Sequence, residues 1–215
     1  MVLKRELGFF TLIILFMLAI SYIAFSIGYS DPFSLFIRLL ALNGYIALGI
    51  AAMMSPFLKQ ITLFFKKSFT KVHHYFAAVG LLLITLHPIT VFISALTLSV
   101  FLPNFSSLYL FFFFGGIEAL ILIYVAFGAA LLRRKINAYF RIFHAFMYLA
   151  LFIGVIHANL RGTDFQNIYI QIAFDAIFAS ALFAFGLKRL QFYRIKSRVK
   201  KNQKFTSEAN NRRLK

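Results

Sequence analysis

The sequence predicts an all-α polytopic membrane protein, and three observations support this fold class. First, 61% of the 215 residues are hydrophobic, only 13% are charged, and the mean hydropathy is +0.83. Soluble domains are about 45–50% apolar and about 25% charged, so a soluble fold of this size lacks the interior to bury these side chains. Second, the apolar residues form stretches of about 20, the length with which a helix crosses a bilayer. Third, the basic residues gather in alternate connections between these stretches.

The composition also excludes several classes of protein. The 30 Phe and 10 Tyr residues argue against a disordered chain. The sequence has no Cys. It therefore forms no disulfide, no iron–sulfur cluster, no thiolate metal site and no covalent c-type haem.

The apolar stretches predict a bundle of transmembrane helices. We predict six helices, at 8–29, 33–56, 73–96, 107–132, 141–160 and 166–188. The first follows Lys4 and Arg5 as a signal peptide would, but its apolar run exceeds the roughly 7–15 residues of such a peptide, so we expect it to be retained. Segment 97–107 is predicted to be a loop. The chain thus divides into a six-helix domain, 1–190, and a basic cytoplasmic tail, 191–215.

The basic residues predict the topology. Of the 23 Lys and Arg residues, 21 lie in the N-terminus, in the connections 57–72 and 133–141, and in the tail from Lys188, whereas Arg38 and Arg161 lie in the other connections. The positive-inside rule then predicts that both termini are cytoplasmic. We expect the helices to lie in the plasma membrane. The net charge of +17 is explained by topology and by contact with lipids, and we expect no nucleic-acid partner. We expect the tail to extend the last helix a little and then to lie on anionic lipid or stay disordered, and docking of a soluble partner is the alternative.

Five histidines lie on only two of the predicted helices. His73, His74 and His87 belong to the third, and His144 and His157 to the fifth. Ionisable groups inside a membrane are costly, so each is a functional candidate. Both helices start at the cytoplasmic side, and the separations of 14 and 13 residues correspond to roughly 21 and 20 Å along a helix. The sequence therefore predicts two levels, an inner His73/His144 pair and an outer His87/His157 pair.

Two histidines at one level can ligate one haem iron, each through one ring nitrogen. Facing helices of a bundle can hold a porphyrin between them, so we predict two stacked b-type haems with these four axial ligands. His73 is favoured over His74 as the partner of His87 on one helix face, because the 14 residues from His73 to His87 fall only about 40° short of four helical turns. The 13 residues from His144 to His157 fall about 140° short, so a bend or a tightened turn is required to bring these two histidines to one face. Helix–helix hydrogen bonding is the alternative role for the histidines.

Several neighbours of the histidines are candidates for cofactor contacts. Arg161, one turn beyond His157, is predicted to bind an outer propionate, and Arg141 and Arg134 an inner one. Snorkelling of these arginines to the membrane interface is an equal alternative. On the third helix, the small residues Ala77 and Gly80 are predicted to leave room for a macrocycle.

Three more polar residues lie near the middle of predicted helices: Asn43, Glu118 and Asp175. Each can serve a quinone or proton site, but hydrogen bonding to Tyr or Ser of a neighbouring helix is the favoured interpretation. Tyr148 and Phe152 lie between the two histidine levels, and we predict that they act in packing.

The stretches HHYFAAVGLLLITLHP (73–88) and FRIFHAFMYLALFIGVIHANLRG (140–162) resemble the ferric reductase-like transmembrane family. That family has six helices, with His-x13-His on the third and His-x12-His on the fifth. The resemblance covers roughly 1–190. In size the chain is closest to stand-alone members such as the membrane haem subunit of the periplasmic methionine sulfoxide reductase system, but it has His73 where that subunit carries Arg. Larger members add a soluble flavin domain, so we expect any FMN or FAD on a partner.

The resemblance and the histidine levels together predict a transmembrane electron-transfer subunit. Electrons would pass from a cytoplasmic flavoprotein or quinol donor to the inner haem and then to the outer haem. They would leave to an external metal ion, oxygen or a partner reductase. As an enzyme, the chain is thus expected to be an oxidoreductase subunit that needs a separate donor. The alternative is a haem-free transporter or accessory subunit in which the histidines, Glu118 and Asp175 form a proton or cation path.

Overall fold

The computed structural model describes residues 2–137 and 139–213, and in these ranges the chain forms helices and no strand. The long helices are α1 (Val2–Ser26), α2 (Pro32–Met53), α4 (Phe69–Ala95), α6 (Gly116–Leu131), α8 (Phe140–Arg161) and α9 (Ile168–Arg213). The short ones are α3 (Leu58–Phe65), α5 (Leu108–Phe113) and α7 (Arg133–Ile136). Single 3₁₀ turns occur at Ser55–Phe57, Leu98–Phe101 and Thr163–Gln166.

Five helices in the described ranges are long and apolar enough to cross a membrane. They are Glu6–Ser26, Pro32–Met53, Phe69–Ala95, Phe140–Arg161 and Ile168–Val199. The chain is therefore an integral membrane helical bundle.

The fourth predicted span, 107–132, differs from the prediction. It forms two helices, α5 and α6, that are separated at Phe114 and Gly115. The 16 residues of α6 rise about 24 Å, which is shorter than the hydrocarbon core of about 30 Å. The carbonyl of Phe113, which ends α5 at this break, accepts a hydrogen bond from His157 of α8.

Helix α2 lies at the centre of the bundle and packs against α1, α4 and α9. Its approach to α4 depends on two glycines. A Cβ atom on Gly44 would lie 2.8 Å from Cγ1 of Ile84, and one on Gly80 would lie 2.7 Å from Cγ of Leu48. Small residues allow such close packing between membrane helices. The prediction that Gly80 leaves room for a macrocycle is therefore wrong, because Leu48 of α2 fills the space beside it.

An ion pair fixes the end of the bundle where α1 meets α2. Arg38 donates from Nε to Oδ2 of Asp164 at 2.9 Å and from Nη2 to the other carboxylate oxygen. The same guanidinium donates to the carbonyls of Gly28 and Ala24, at 2.6 and 2.8 Å. Asp164 is only 3% exposed. One side chain thus joins α1, α2 and the turn that precedes α9.

Helix α9 continues from the last predicted span through most of the segment 191–215. Side chains near the start of this segment contact the bundle: Gln191 donates to the carbonyl of Pro56 at 3.4 Å, and the guanidinium carbon of Arg141 lies 5.3 Å from the ring centroid of Phe192. The helical extension is therefore much longer than the sequence predicts.

Candidate functional site

Helices α4 and α8 bring four of the five histidines together in two pairs. The ring centroids of His73 and His144 are 6.2 Å apart, with their planes at 70°. His87 and His157 line one cavity. The two helices run parallel, because early residues of α4 and α8 are in contact and later residues of both helices line one cavity. This is the two-level arrangement expected from the spacing.

Each of these four histidines makes the same kind of hydrogen bond to a neighbouring helix. Nδ1 lies 3.2 Å from the carbonyl oxygen of Ala51 for His73 and 3.0 Å from that of Ile37 for His87, both on α2. Nδ1 of His144 lies 3.2 Å from the carbonyl oxygen of Ala126 on α6. Nδ1 of His157 lies 2.8 Å from that of Phe113, the last residue of α5.

These bonds fix the chemistry of the imidazoles. A carbonyl oxygen only accepts hydrogen bonds, so Nδ1 must carry the proton in all four rings. In a neutral imidazole the other nitrogen, Nε2, then has a free lone pair. Metal-binding histidines are typically oriented in this way, by donating the proton of the second ring nitrogen to a carbonyl or carboxylate. All four histidines therefore have the tautomer in which the lone pair lies on Nε2.

The inner pair is enclosed by aromatic rings. Phe69 stacks on His73, with centroids 5.6 Å apart, and Phe140 stacks on His144 at 5.1 Å. Each Phe precedes its histidine by four residues, the spacing at which side chains meet on one helix face. His74 is exposed, whereas His73 is half-buried. The structure thus brings His73 rather than His74 to His144.

The outer pair lies beside a cavity of about 300 Å³. Residues of α2, α4, α6 and α8 form its mainly apolar walls. Gly116, the first residue of α6, lies directly against the ring of His157. A Cβ atom at this position would be 3.1 Å from Nε2 of His157. A larger residue at position 116 would therefore crowd Nε2 of His157.

The candidate arginines differ in their surroundings. Arg161 lines the outer cavity, and its guanidinium carbon lies 5.1 and 5.2 Å from the ring centroids of Phe113 and Phe114. Arg141 instead lies over Phe192 of α9. Arg134 is exposed. Of these three arginines, Arg161 is the one that borders a histidine cavity.

The hydrogen bonds of the intramembrane polar residues go to groups other than the histidines. Asn43 donates to Oγ of Ser21 at 3.1 Å, which is the helix–helix bond favoured by the sequence. Asp175 accepts from Asn159 at 3.3 Å. Glu118 accepts from the backbone N–H of Asn104 at 3.1 Å, and its second oxygen is buried without a partner. Among the hydrogen bonds of the described residues, none joins Glu118 or Asp175 to a histidine.

The two aromatic residues between the histidine levels make packing contacts. The hydroxyl of Tyr148 donates to the carbonyl of Ala52 at 3.2 Å, and its ring lies 4.6 Å from that of Phe185. The ring of Phe152 lies between those of Phe112 and Phe178, at 6.2 and 5.7 Å.

Sequence reasoning missed the carbonyl acceptors and the role of Gly116. The acceptors are backbone atoms and have no residue signature. The dipeptide Gly115-Gly116 in an otherwise apolar stretch was a usable signal, because paired glycines interrupt helices. Throughout 2–137 and 139–213, no group of three or more His, Cys, Asp or Glu residues is placed to hold a metal ion. Comparison of the chain with protein-family models, curated proteins and solved structures finds no match.

Proposed function

We propose that this protein is a transmembrane electron-transfer subunit that carries two b-type haems, one between His73 and His144 and one between His87 and His157. The observation that carries the proposal is that the four imidazoles share one tautomer and one kind of hydrogen bond. Each donates its Nδ1 proton to a backbone carbonyl and keeps Nε2 free, and each has a partner histidine on the opposite helix.

The inner pair fits bis-histidine ligation in its separation. A bond from a metal to an imidazole nitrogen is about 2 Å long, so two rings on opposite sides of one metal have centroids about 6 Å apart. The observed separation of the centroids of His73 and His144 is 6.2 Å. The stacked rings of Phe69 and Phe140 supply an apolar environment.

The outer pair fits haem binding in the space beside it and in the charge at its border. The cavity beside His87 and His157 has apolar walls, and Gly116 leaves the Nε2 side of His157 open. Arg161 is a cation at the border of the same cavity. It is suited to hold a carboxylate such as a propionate, whereas Arg141 interacts with α9 and is a weaker candidate for an inner one.

Helix–helix hydrogen bonding alone does not account for the arrangement. The Nδ1 bonds do join helices, but histidines that served only this purpose would not need partners at matching levels. A haem held by these residues would supply one-electron exchange between the ferrous and ferric states of its iron. The chain's part is to supply the imidazoles, to orient them through Ile37, Ala51, Phe113 and Ala126, and to exclude water.

With a haem at each level, the chain would carry electrons across the bilayer from the His73/His144 level to the His87/His157 level. With both termini in the cytoplasm of a plasma-membrane protein, the inner level faces a soluble flavoprotein with FMN or FAD, or a quinol donor. The outer level faces a metal ion, oxygen or a partner reductase. The chain is then an oxidoreductase subunit of the ferric reductase-like kind, supported by the spacing of its four histidines.

A spectrum of the purified protein tests the proposal. The chain is expressed with ample haem supply, and haem is counted as the pyridine complex and by the reduced-minus-oxidised difference. We expect about two non-covalent b-type haems per chain, extractable with acidified solvent because the sequence has no Cys. Protein without a Soret band would overturn the proposal and favour the haem-free proton or cation path.

A further inference from the structure

A second cavity lies where α3 packs across the ends of α1 and α2. It is a groove of about 460 Å³ that shares no lining residue with the cavity beside His87 and His157. Its walls include Phe9, Ile13, Ile50, Met54 and Phe57, and the one polar lining residue is Gln60. Ligand pockets typically have volumes of about 300–1,000 Å³. The groove is therefore large enough for a bound molecule, and its walls select an apolar one.

The amphipathic helix α3 forms one side of the groove. Ile61 and Phe65, four residues apart, are buried, whereas Lys59 and Lys66 are exposed. A helix with an apolar face and lysines on the other face lies at the surface of a membrane. Lys66 ends α3 with φ of 47°, a left-handed conformation that only a minority of residues other than glycine adopt. Lys66 and Lys67 directly follow the groove residue Phe65 in the sequence.

The chain segment that supplies the groove residues Gln60 and Phe65 is positively charged. Lys59, Lys66, Lys67 and Lys71 are all exposed, and the sequence has no Asp or Glu between Asp31 and Glu118. Basic pockets between membrane helices attract anionic lipid headgroups. An apolar groove whose lining residues are followed and preceded in the sequence by exposed lysines matches the two ends of one molecule, a hydrocarbon chain and an acidic headgroup.

We propose that this groove is a binding site for an anionic phospholipid. One acyl chain lies in the groove against Phe9, Ile50 and Phe57. The phosphate-containing headgroup interacts with Lys59, Lys66 and Lys67. Zwitterionic phosphatidylcholine offers the same chains but no net charge, so it occupies the groove less often than phosphatidylglycerol.

The chain offers a clean reporter because it has no Trp. Phe57→Trp places a single fluorophore in the groove, and Phe143→Trp places one at an exposed position on α8 outside it. Both variants are reconstituted into phosphatidylcholine nanodiscs with a small, equal fraction of brominated phosphatidylglycerol or brominated phosphatidylcholine. We expect roughly fivefold preference for the brominated phosphatidylglycerol at Phe57→Trp, the ratio that the attraction of about one lysine supplies. At Phe143→Trp, which lies near Arg141 but outside the groove, the preference for brominated phosphatidylglycerol should be clearly smaller. An equal preference at the two positions would overturn the proposal.

A charge-matched control separates the groove from general attraction to a basic protein. Lys66→Gln with Lys67→Gln should abolish the preference at Phe57→Trp, whereas Arg194→Gln with Lys196→Gln on α9 removes the same charge and should leave it intact. Equal loss in both double variants would contradict a defined site. Native mass spectrometry of the unsubstituted chain from mixed micelles provides a second measurement. One retained phosphatidylglycerol that Lys66→Gln/Lys67→Gln loses is expected, and a dimer without lipid would instead identify a second copy as the occupant.

Discussion

The two histidine levels are built from the same kind of residue but in different surroundings. At the inner level, His73 and His144 lie 6.2 Å apart between two stacked phenylalanines. At the outer level, His87 and His157 border a cavity whose openness depends on Gly116. Their carbonyl partners differ too, because those at the inner level lie within long helices, whereas that of His157 lies at the break between α5 and α6.

The difference indicates that the two levels depend on different features. Aromatic packing along α4 and α8 supports the inner pair, and its acceptor on α6, Ala126, lies well past the start of that helix, so the inner pair should tolerate changes at the start of α6. The outer pair depends on a missing side chain and a helix break, and it should be the more easily disturbed. The predictions below test this separation.

The largest effect is expected from removal of the ligands. His87→Ala and His157→Ala should each eliminate the outer haem and spare most of the inner one, whereas His73→Ala and His144→Ala should do the reverse. Haem stoichiometry and the difference spectrum of each variant provide the measurement. Loss of the same spectral component in all four variants would contradict two separable levels.

A bulky side chain at the start of α6 should close the outer level alone. In Gly116→Leu the Cβ atom would lie 3.1 Å from Nε2 of His157, so we expect haem content to fall from about two per chain to about one. Gly128→Leu is the matched control, because a Cβ atom on Gly128 meets nothing within 4 Å. Equal haem content in the two variants would show that the small size of Gly116 is not required for haem binding at the outer level.

The ion pair between Arg38 and Asp164 should stabilise the end of the bundle that contains His87 and His157. Breaking a buried pair by removing one partner costs about 3–5 kcal/mol, so Arg38→Leu should lower the thermal unfolding temperature. The outer haem should be released first, because Arg38 neighbours Ile37, the acceptor for His87. Heating followed by difference spectroscopy provides the measurement. In Arg38→Leu/Asp164→Leu no charge stays buried alone, so much of the stability should return.

The smallest effect is expected at His74. Its side chain is exposed beside the half-buried His73, so His74→Ala should keep both haems and their low-temperature EPR signals. If His74→Ala abolished the inner signal and His73→Ala retained it, the assignment of the inner ligand would be off by one residue.

Part of this fold follows directly from the sequence. The spacing of the histidines predicts the two levels, because the rise of a helix is fixed and the basic connections make the two helices parallel. The membrane class follows from composition alone. The choice of His73 over His74 rests on the helical angle, and it agrees with the exposure of the two side chains.

The rest depends on contacts between distant parts of the chain. Arg38 and Asp164 are 126 residues apart in sequence, and no local pattern indicates that they pair. Gly80 was interpreted as space for a ligand, but only the packing of α2 shows that Leu48 occupies it. The long extension of α9 was missed because its polar residues lack the apolar periodicity from which a helix is predicted.

The break between α5 and α6 has a consequence for the order in which the protein assembles. The final carbonyls of a helix lack partners within that helix, and unpaired backbone groups in hydrocarbon cost several kcal/mol each. The carbonyl of Phe113 acquires its partner from His157, a residue synthesised 44 positions later. During synthesis the α5–α6 segment must therefore wait for α8 before its bend is stabilised. The outer site is therefore completed only after α8 has inserted, and its cavity is closed only when Phe174 of α9 has joined the bundle.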